Sequence, residues 1–396
     1  MLLLPPGIVG CEASLSVGIR LQAIALREIR LPLKEPFTIS SGTVDERRIL
    51  LLELADADGV RTWSECVAAA QPNYSPETID TAWLAIREWI APRILDRELA
   101  GPEAVHPELE RPIRGHLMAK AAVEMGTWVL AAMRDGISLA ERLGGTREWV
   151  ETGISIGIQP DPETLVERAR AALAQGYRRV KVKIRPGADV GFLRAVREAL
   201  GGEFPVVADA NSAYSLDDSA QLAALAALDD FGLAMIEQPL AADDLVRHAR
   251  LQKQLATPIC LDESITSLER AEDMVTLGSG RIINIKPGRV GGFGAARAIH
   301  DFCARQDIPV WCGGMLESGV ARAYNVALAS LPGFTMPGDI SPSARYWQRD
   351  IVRPEWTMNA EGRVRVPRDR PGLGVEVDVD RVDDLTARRE ILRRSV

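Results

Sequence analysis

Hydrophobic positions change their spacing along the chain, which separates an N-terminal block from a long central region. Between residues 18 and 70, β-branched and leucine-rich runs flank the turn Asp56-Ala-Asp-Gly59, which predicts strands joined by tight turns. Residues 77–97 and 115–135 have the apolar spacing of helices. The N-terminal block is therefore predicted to be an α+β unit.

After Val150, short β-branched runs alternate with amphipathic stretches rich in alanine, leucine and arginine. Such alternation is typical of parallel βαβ units, and eight of them predict a (β/α)8-type barrel. An open doubly wound sheet is the competing fold, but no G-x-G-x-x-G follows a first strand, so a dinucleotide site is unsupported. The candidate strands lie at 153–158, 180–184, 206–209, 235–238, 259–262, 282–286, 309–313 and, with the weakest pattern, 334–340.

The pattern weakens after Arg345. Two short valine-containing runs, 364–366 and 375–377, are predicted to be strands that return to the N-terminal block. At the other end, Pro5-Pro6 interrupts a short apolar start that has no basic residues before it. Residues 1–17 are therefore predicted to be a loose extension rather than a signal segment.

Composition narrows the class of protein. The chain has 396 residues, 46% of them hydrophobic and 26% charged, which is typical of a globular protein with a large core. A net charge of −8, with acids and bases interspersed, argues against nucleic-acid or membrane-surface binding. Five scattered cysteines and four histidines argue against a disulfide framework or a zinc site, and a reducing cytoplasm fits. No apolar stretch is long enough to span a bilayer.

Polar residues end the central candidate strands, where an apolar core would not accept them. They recur at the interval of one βα repeat, so each lies at the same level of its strand. In a barrel that level is the C-terminal mouth, where active sites are built. The residues are Lys183, Asp209, Glu237, Asp262 and Lys286.

Three of these residues are carboxylates on neighbouring strands. Asp209, Glu237 and Asp262 would repel one another strongly unless a cation neutralised them. An all-oxygen donor set favours Mg²⁺, with Mn²⁺ as a possible substitute. The competing interpretation, in which each acid caps a helix or forms an ion pair, suits one strand-end acid better than three at one level.

The two lysines lie four strands apart, so in an eight-stranded barrel they face each other. Lys183 and Lys286 could remove the α-proton of a metal-chelated carboxylate from one face and return it on the other. This requires a lysine pKa below its usual value, through burial or nearby positive charge. Lys181 and Arg289 could supply that charge; the alternatives are a buried salt bridge for Lys181 and a solvated loop position for Arg289. Asn211 could orient a carboxylate.

Other polar residues near the strand ends have less distinct patterns. Glu263 alternates to the other side of its strand, and Glu317 suits either the rim of the mouth or a helix N-terminus. Asp339 is predicted to cap a loop. Cys260 and Cys312 are predicted to be core thiols.

These residues resemble the enolase superfamily over about residues 20–355. Lys181-Val-Lys183 is similar to the K-x-K of the muconate-lactonizing-enzyme subgroup, and Asp209-Ala-Asn211, Ile236-Glu-Gln-Pro239, Leu261-Asp-Glu-Ser264 and Asn284-Ile-Lys-Pro-Gly288 resemble its metal and lysine strands. Within the subgroup, the chain resembles o-succinylbenzoate synthases that also racemise N-succinylamino acids (N-acylamino acids). That similarity is carried by Pro36-Phe-Thr-Ile-Ser-Ser-Gly42, Ser155-Ile-Gly157, Lys286-Pro-Gly-Arg-Val-Gly-Gly292 and Trp311-Cys-Gly-Gly-Met315.

The resemblance implies an α/β fold, a modified TIM barrel of (β/α)7β type with an α+β capping domain. The implied domains are a capping domain at 18–148, a catalytic barrel at 149–345, and a segment at 346–396 that returns to the capping domain. It implies a small-molecule carboxylate substrate, a place in menaquinone biosynthesis and a homo-oligomer, either a dimer or an octamer.

The resemblance also implies residue roles. Lys183 and Lys286 would exchange the α-proton in racemisation; in the synthase, Lys183 would act while Lys286 stays cationic. Ala69 leaves the acyl preference open, because relatives can carry a larger residue there. The implied substrate contacts are Phe37 and Tyr74 from capping loops, and Ser155, Gly314, Met315 and Leu316 around the acyl group.

Other functions remain open from the sequence. A dipeptide epimerase or cycloisomerase of the same subgroup is one, although Asp339-Ile-Ser341 lacks the second acid of the D-x-D expected in dipeptide epimerases. A Schiff-base aldolase could use either lysine but would not need three carboxylates. A non-catalytic metabolite-binding barrel would have no evident need for the lysine pair.

Overall fold

The computed structural model describes residues 18–394, and the predicted extension at 1–17 lies outside them. Three antiparallel strands open the described chain, in the order β1, β2, β3, and the consecutive leucine-rich residues 49–52 of β2 are all packed into the core. Their bounds are β1 (Leu21–Ile39), β2 (Gly42–Asp56) and β3 (Arg61–Cys66).

Five helices follow the three strands. The predicted helix at 115–135 is confirmed as α4, which is buried along most of its length. The predicted helix at 77–97 is interrupted by a π-helical turn at Ile86–Ile90. The helices are α1 (Ile79–Ala85), α2 (Ala91–Ile94), α3 (Val105–Glu110), α4 (Leu117–Arg134) and α5 (Leu139–Leu143).

A parallel sheet of seven strands forms the central region, preceded by the short strand β4 (Trp149–Glu151). Its strands stand side by side in chain order, as successive βαβ units require. Seven of the eight predicted strands are therefore confirmed, and the modified barrel is the observed fold. The strands are β5 (Ile154–Ile156), β6 (Val180–Lys183), β7 (Val206–Asp209), β8 (Met235–Glu237), β9 (Ile259–Leu261), β10 (Ile282–Ile285) and β11 (Val310–Cys312).

Helices connect these strands, and an Asp or Ser side chain caps the N-terminus of most of them. The exception is the helix after β10, where Glu124 from α4 accepts the N–H groups of Phe293 and Gly294. The helices are α6 (Pro162–Ala174), α7 (Val190–Leu200), α8 (Ser219–Ala227), α9 (Leu245–Gln252), α10 (Leu268–Leu277), α11 (Phe293–Arg305) and α12 (Gly319–Ala329).

The predicted eighth strand, 334–340, is wrong as a strand. This segment lies between β11 and the start of β5 and makes only single bridges, Val310 to Phe334 and Thr152 to Gly338. Pro337 has no N–H to donate, so a continuous ladder cannot form there. The segment still closes the gap between the first and last strands of the barrel, because Asp339 N donates to Cys312 O over 2.9 Å.

The C-terminal tail differs from its prediction. The runs at 364–366 and 375–377 do contain strands, but these pair with β4 and with a neighbouring tail strand instead of the N-terminal sheet. The strand that joins β1 at the sheet edge was not predicted, because its charged residues conceal the alternation. The tail elements are β12 (Val352–Arg353), β13 (Arg363–Arg365), β14 (Glu376–Val377), α13 (Val379–Leu385) and β15 (Thr386–Arg393).

Side chains fill the barrel interior in layers. A separate apolar cluster inside the barrel includes Val207, Met235 and Cys260. Because side chains two positions apart share a face, the next layer toward the strand ends contains the residues two positions later. Those residues are Asp209, Glu237 and Asp262. Within residues 18–394, no helix combines the length and apolarity needed to cross a bilayer.

Candidate active site

Lys183 ends β6 directly beside the end of β7. The strand register pairs it with Asp209, and its Nζ lies 2.6 Å from Asp209 Oδ2. The same Nζ donates to Asn211 Oδ1 over 2.7 Å. Asn211 has a positive φ of 43° just after the strand, and its Nδ2 donates to Glu263 Oε1 over 2.9 Å. Two strand ends and one loop therefore fix the position of Lys183.

Lys181 lies one layer deeper and is buried among three carboxylates. Its Nζ is 3.0 Å from both Asp209 Oδ2 and Glu237 Oε2, and 2.7 Å from Asp339 Oδ2. Burial lowers the pKa of Lys181, but the three carboxylates more than offset that, so its pKa is raised well above the usual value. The alternative of a buried salt bridge is therefore confirmed for Lys181.

Lys286 follows β10 and contacts a different carboxylate. Its Nζ lies 2.8 Å from Asp262 Oδ2 and 3.0 Å from the Tyr74 hydroxyl. Burial lowers the pKa of Lys286, but the charges of Asp262 and Tyr74 together more than offset that effect, so the pKa is raised. The expectation of a lowered lysine pKa is therefore wrong for Lys286 in this arrangement of charges.

Arg289 is buried, and the alternative of a solvated loop charge is wrong. Its guanidinium forms an ion pair with Asp262 Oδ1 and donates over 2.9 Å to Ile265 O and 2.6 Å to Asn284 O. The Tyr74 hydroxyl also donates to Asp262 Oδ1 over 3.0 Å. Arg289 thus helps hold the carboxylate that Lys286 contacts.

The three predicted metal ligands are all buried, and their charges influence one another. Burial raises the pKa of Glu237, and repulsion from Asp209 and Asp262 raises it further. Within residues 18–394, no group of three or more His, Cys, Asp or Glu side chains is spaced to hold a metal ion as the side chains stand. Ammonium and guanidinium groups contact oxygens of all three carboxylates. The donors suit a hard divalent cation chemically, but the cation would have to displace those contacts.

One cavity at the mouth of the barrel brings most of the predicted residues together. It is lined by both lysines, by Lys181 and Asn211, and by all six predicted substrate contacts: Phe37, Tyr74, Ser155, Gly314, Met315 and Leu316. Asp209, Glu237, Asp262 and Arg289 lie behind this lining, one hydrogen bond away from it. Their chemical roles remain predictions.

Asp339 is not a simple loop cap. Its Oδ1 lies 2.6 Å from Arg179 Nη2 and its Oδ2 contacts Lys181. Arg179 and Lys181 both make cation–π contacts with the Trp311 ring, with Arg179 Cζ 4.1 Å and Lys181 Nζ 4.8 Å from its centroid. Because 334–340 is not a strand, its pattern gave no signal for this buried network.

Replacing Asp339 with asparagine should destabilise the protein. Arg179 and Lys181 would lose a buried counter-charge, and we expect the free energy of unfolding to fall by about 3 kcal/mol. Urea unfolding of the purified variant measures this. The matched control is Glu361→Gln, which alters an exposed pair with Arg363 and should cost less than about 1 kcal/mol. An equal loss in both variants would contradict the ion-pair argument.

The structure also shows where the side chains of Glu317 and Glu263 lie. Glu317 accepts from Met315 N over 2.5 Å and pairs with Arg322 over 2.9 Å, so it supports the loop around the cavity. Glu263 is buried against Asn211, and its Oε2 has no hydrogen-bond partner among the described residues. Cys260 and Cys312 are buried, as predicted for core thiols.

Gly313 leaves room for Lys286. A Cβ at this position would lie 2.6 Å from Lys286 Cε and 2.3 Å from Asn284 Oδ1. We expect Gly313→Ala to displace Lys286 and to lower the kcat of the enzyme about 100-fold, because small displacements of a catalytic group have effects of this size. Steady-state kinetics would measure this, with Gly191→Ala as the control because a Cβ there meets nothing within 4 Å. Unchanged kcat in Gly313→Ala would contradict the expectation.

Sequence reasoning missed several residues that line the cavity. Arg322 and Tyr346 follow the last strands, and Asn73 lies in a capping loop. Arg47 reaches the cavity from β2 and is 4% exposed. Its neighbour Arg48 points the other way and pairs with Glu28 over 2.6 Å. Adjacent arginines on one strand gave no indication of which would face inward.

Comparisons with known proteins agree with this architecture. Residues 22–144 match the family described as "Mandelate racemase / muconate lactonizing enzyme, N-terminal domain", and residues 164–382 match "Enolase C-terminal domain-like". An o-succinylbenzoate synthase from Geobacillus kaustophilus is 49% identical, covering 96% of this chain and 99% of the relative. An N-succinylamino acid racemase from Thermus thermophilus is 47% identical, covering 93% and 97%. A crystal structure of an enolase-superfamily member from Listeria innocua has a TM-score of 0.90 and 42% identity, covering 95% of this chain and 99% of that one.

Proposed function

This chain belongs to the enolase superfamily, in the group of mandelate racemase and muconate lactonizing enzymes, and on that premise we propose that it removes the proton α to a substrate carboxylate. The observation that carries the proposal is the pair of lysines, Lys183 and Lys286, lining one cavity from strands four positions apart. Each contacts a different member of a row of buried carboxylates. A proton can thus be taken from one side and delivered from the other.

Two reactions share that first step, and both are proposed for this enzyme. In N-succinylamino acid racemisation, the enediolate is reprotonated by the lysine on the opposite face. In o-succinylbenzoate synthesis, proton loss is followed by departure of the ring hydroxyl, which takes up a proton and leaves as water while the ring becomes aromatic. Relatives bearing both names align along nearly the whole chain, so the enzyme is both a lyase and an isomerase in this proposal.

Asp209, Glu237 and Asp262 would hold a divalent cation, Mg²⁺ or Mn²⁺ by their oxygen chemistry. Such a cation stabilises the negative charge that develops on a carboxylate as its α-proton leaves. The raised pKa of Lys286 suits a cationic partner for that charge during dehydration. In racemisation Lys286 must also release a proton. A cation held by Asp262 would neutralise that carboxylate and so weaken the attraction that keeps the proton on Lys286.

The surroundings of Asp339 disfavour a dipeptide epimerase. That alternative expects a D-x-D at the eighth barrel position, and Asp339-Ile-Ser341 has only the first acid. Here both oxygens of Asp339 already contact cations, Arg179 and Lys181. Asp339 is therefore not free to bind a substrate cation, which favours a substrate whose amino group is acylated and uncharged. A cytoplasmic location, a homo-oligomeric state and the domain boundaries at 148 and 345 remain predictions.

Proton NMR in D₂O tests the proposed function. N-Succinyl-L-phenylalanine is incubated with the enzyme and Mg²⁺, and the α-proton signal and the D-isomer are followed. We expect metal-dependent loss of the signal with growth of the D-isomer. The hydroxycyclohexadiene carboxylate that is dehydrated to o-succinylbenzoate is assayed in parallel. Absence of both reactions would overturn the two proposed reactions, and would leave a different α-carboxylate substrate or a binding protein.

A further inference from the structure

Arg47 is a buried cation without an ion pair. It lies on β2, lines the cavity and is 4% exposed. Its Nη2 donates to two neutral acceptors, Val67 O and Ala68 O, over 3.3 Å each. Among residues 18–394, no carboxylate oxygen lies within 4.0 Å of its guanidinium, and its Nε has no hydrogen-bond partner.

The charge of Arg47 is incompletely compensated. Burial lowers its pKa, and the more distant Glu65 and Glu317 only partly oppose that effect. Glu317 is itself paired with Arg322, the other arginine that lines the cavity. A guanidinium remains protonated in proteins, so the unfavourable burial must be relieved by an anion or tolerated.

Arg47 lines the same cavity as the segment that is predicted to bind the acyl group. Its hydrogen bonds attach it to residues 67–68, next to cavity-lining Ala69. Glu317, which acts on its charge, holds the N–H of Met315 in the predicted acyl-binding segment. Ser155 lines the same cavity, and its Oγ also lacks a hydrogen-bond partner. Two buried side chains with unpartnered polar atoms, Arg47 and Ser155, thus line the same cavity.

We propose that Arg47 binds the terminal carboxylate of the substrate's succinyl chain and so selects acyl groups that carry a distal negative charge. This inference rests on the proposed function, which supplies the succinyl chain. A guanidinium binds carboxylate through parallel N–H groups, and a charged hydrogen bond is strong in a buried site. The arginine thereby acts as a specificity-determining residue and takes no part in proton transfer.

The test compares two substrates of equal acyl length, N-succinyl-L-phenylalanine and N-butyryl-L-phenylalanine, which lacks the terminal carboxylate. Their kcat/KM values are measured for the wild type, Arg47→Met and Arg47→Lys. In Arg47→Met we expect the value for the succinyl substrate to fall about 100-fold, mainly through KM, because one partner of a buried charge pair is lost. The butyryl substrate should change less than about threefold, and Arg47→Lys should be intermediate for the succinyl substrate.

Equal losses on both substrates would assign Arg47 a structural role and overturn the inference, as would an unchanged preference for succinyl. If Arg47→Met does not fold, the same ratio in Arg47→Lys decides the question. Calorimetric binding of both compounds to wild type and variant gives a readout independent of turnover. If the wild-type enzyme turns over neither compound nor the synthase substrate, yet binds the succinyl compound through Arg47, the proposed function is refuted and the inference about Arg47 stands.

Discussion

Replacing either Lys183 or Lys286 with alanine should abolish racemisation of N-succinyl-L-phenylalanine, with losses of about 10³-fold or more. Each lysine serves one face of the substrate, so neither can interconvert the two enantiomers alone. Each variant should retain deuterium exchange on one enantiomer at most, and the two variants should retain opposite ones. Chiral chromatography and proton NMR in D₂O measure the two effects separately.

Both variants should fold, because neither substitution leaves a buried carboxylate without a counter-charge. Without Lys183, Asp209 still contacts Lys181 over 3.0 Å. Without Lys286, Asp262 keeps Arg289 and the Tyr74 hydroxyl. Lys253→Ala, at an exposed helix end, is the control. Racemisation by either lysine variant at more than one tenth of the wild-type rate would refute the two-base arrangement.

The strand ends explain why much of the barrel site could be predicted from sequence. Parallel strands in register place residues at equal distances from their ends in one layer. The regular spacing of the polar residues from Lys183 to Lys286 therefore predicted that they lie together at one end of the barrel. The helical spacing of its apolar residues also located α4, which is buried along most of its length. These features depend on local pattern and on a repeating connection, which a sequence displays directly.

The features that were missed depend on contacts between distant segments. Asp339 lies in a closing segment whose weak strand pattern was misleading, and its partners are residues 179 and 181 on and beside another strand. Arg47 turns inward while Arg48 turns outward, and only the packing of the N-terminal sheet over the barrel distinguishes them. Lysine pKa values depend on which carboxylate each ammonium finally contacts. Such pairings form only in the folded chain.

The same dependence on neighbouring charges makes Glu237→Gln informative about the metal. Burial and repulsion from Asp209 and Asp262 raise the pKa of Glu237, so in the folded protein its ionised form is disfavoured relative to the unfolded chain. Neutralising this residue should therefore leave the melting temperature of the metal-free protein unchanged or higher. A glutamine can keep one acceptor toward Lys181, and Asn284, whose Oδ1 is unpartnered, can accept from its amide.

The response to Mg²⁺ should change in the opposite direction. Ligand at a hundredfold excess over its Kd stabilises a protein by about 2.7 kcal/mol, so Mg²⁺ should raise the wild-type melting temperature by several degrees. In Glu237→Gln that rise should disappear together with α-proton exchange, while the exposed control Glu361→Gln keeps both. Thermal unfolding with EDTA or with Mg²⁺ separates binding from catalysis. A full rise in melting temperature with Mg²⁺ in Glu237→Gln would show that Glu237 is not a metal ligand. A metal-free variant less stable than the wild type would mean that the contacts of Glu237 with Lys181 and Asn284 outweigh its repulsion from Asp209 and Asp262.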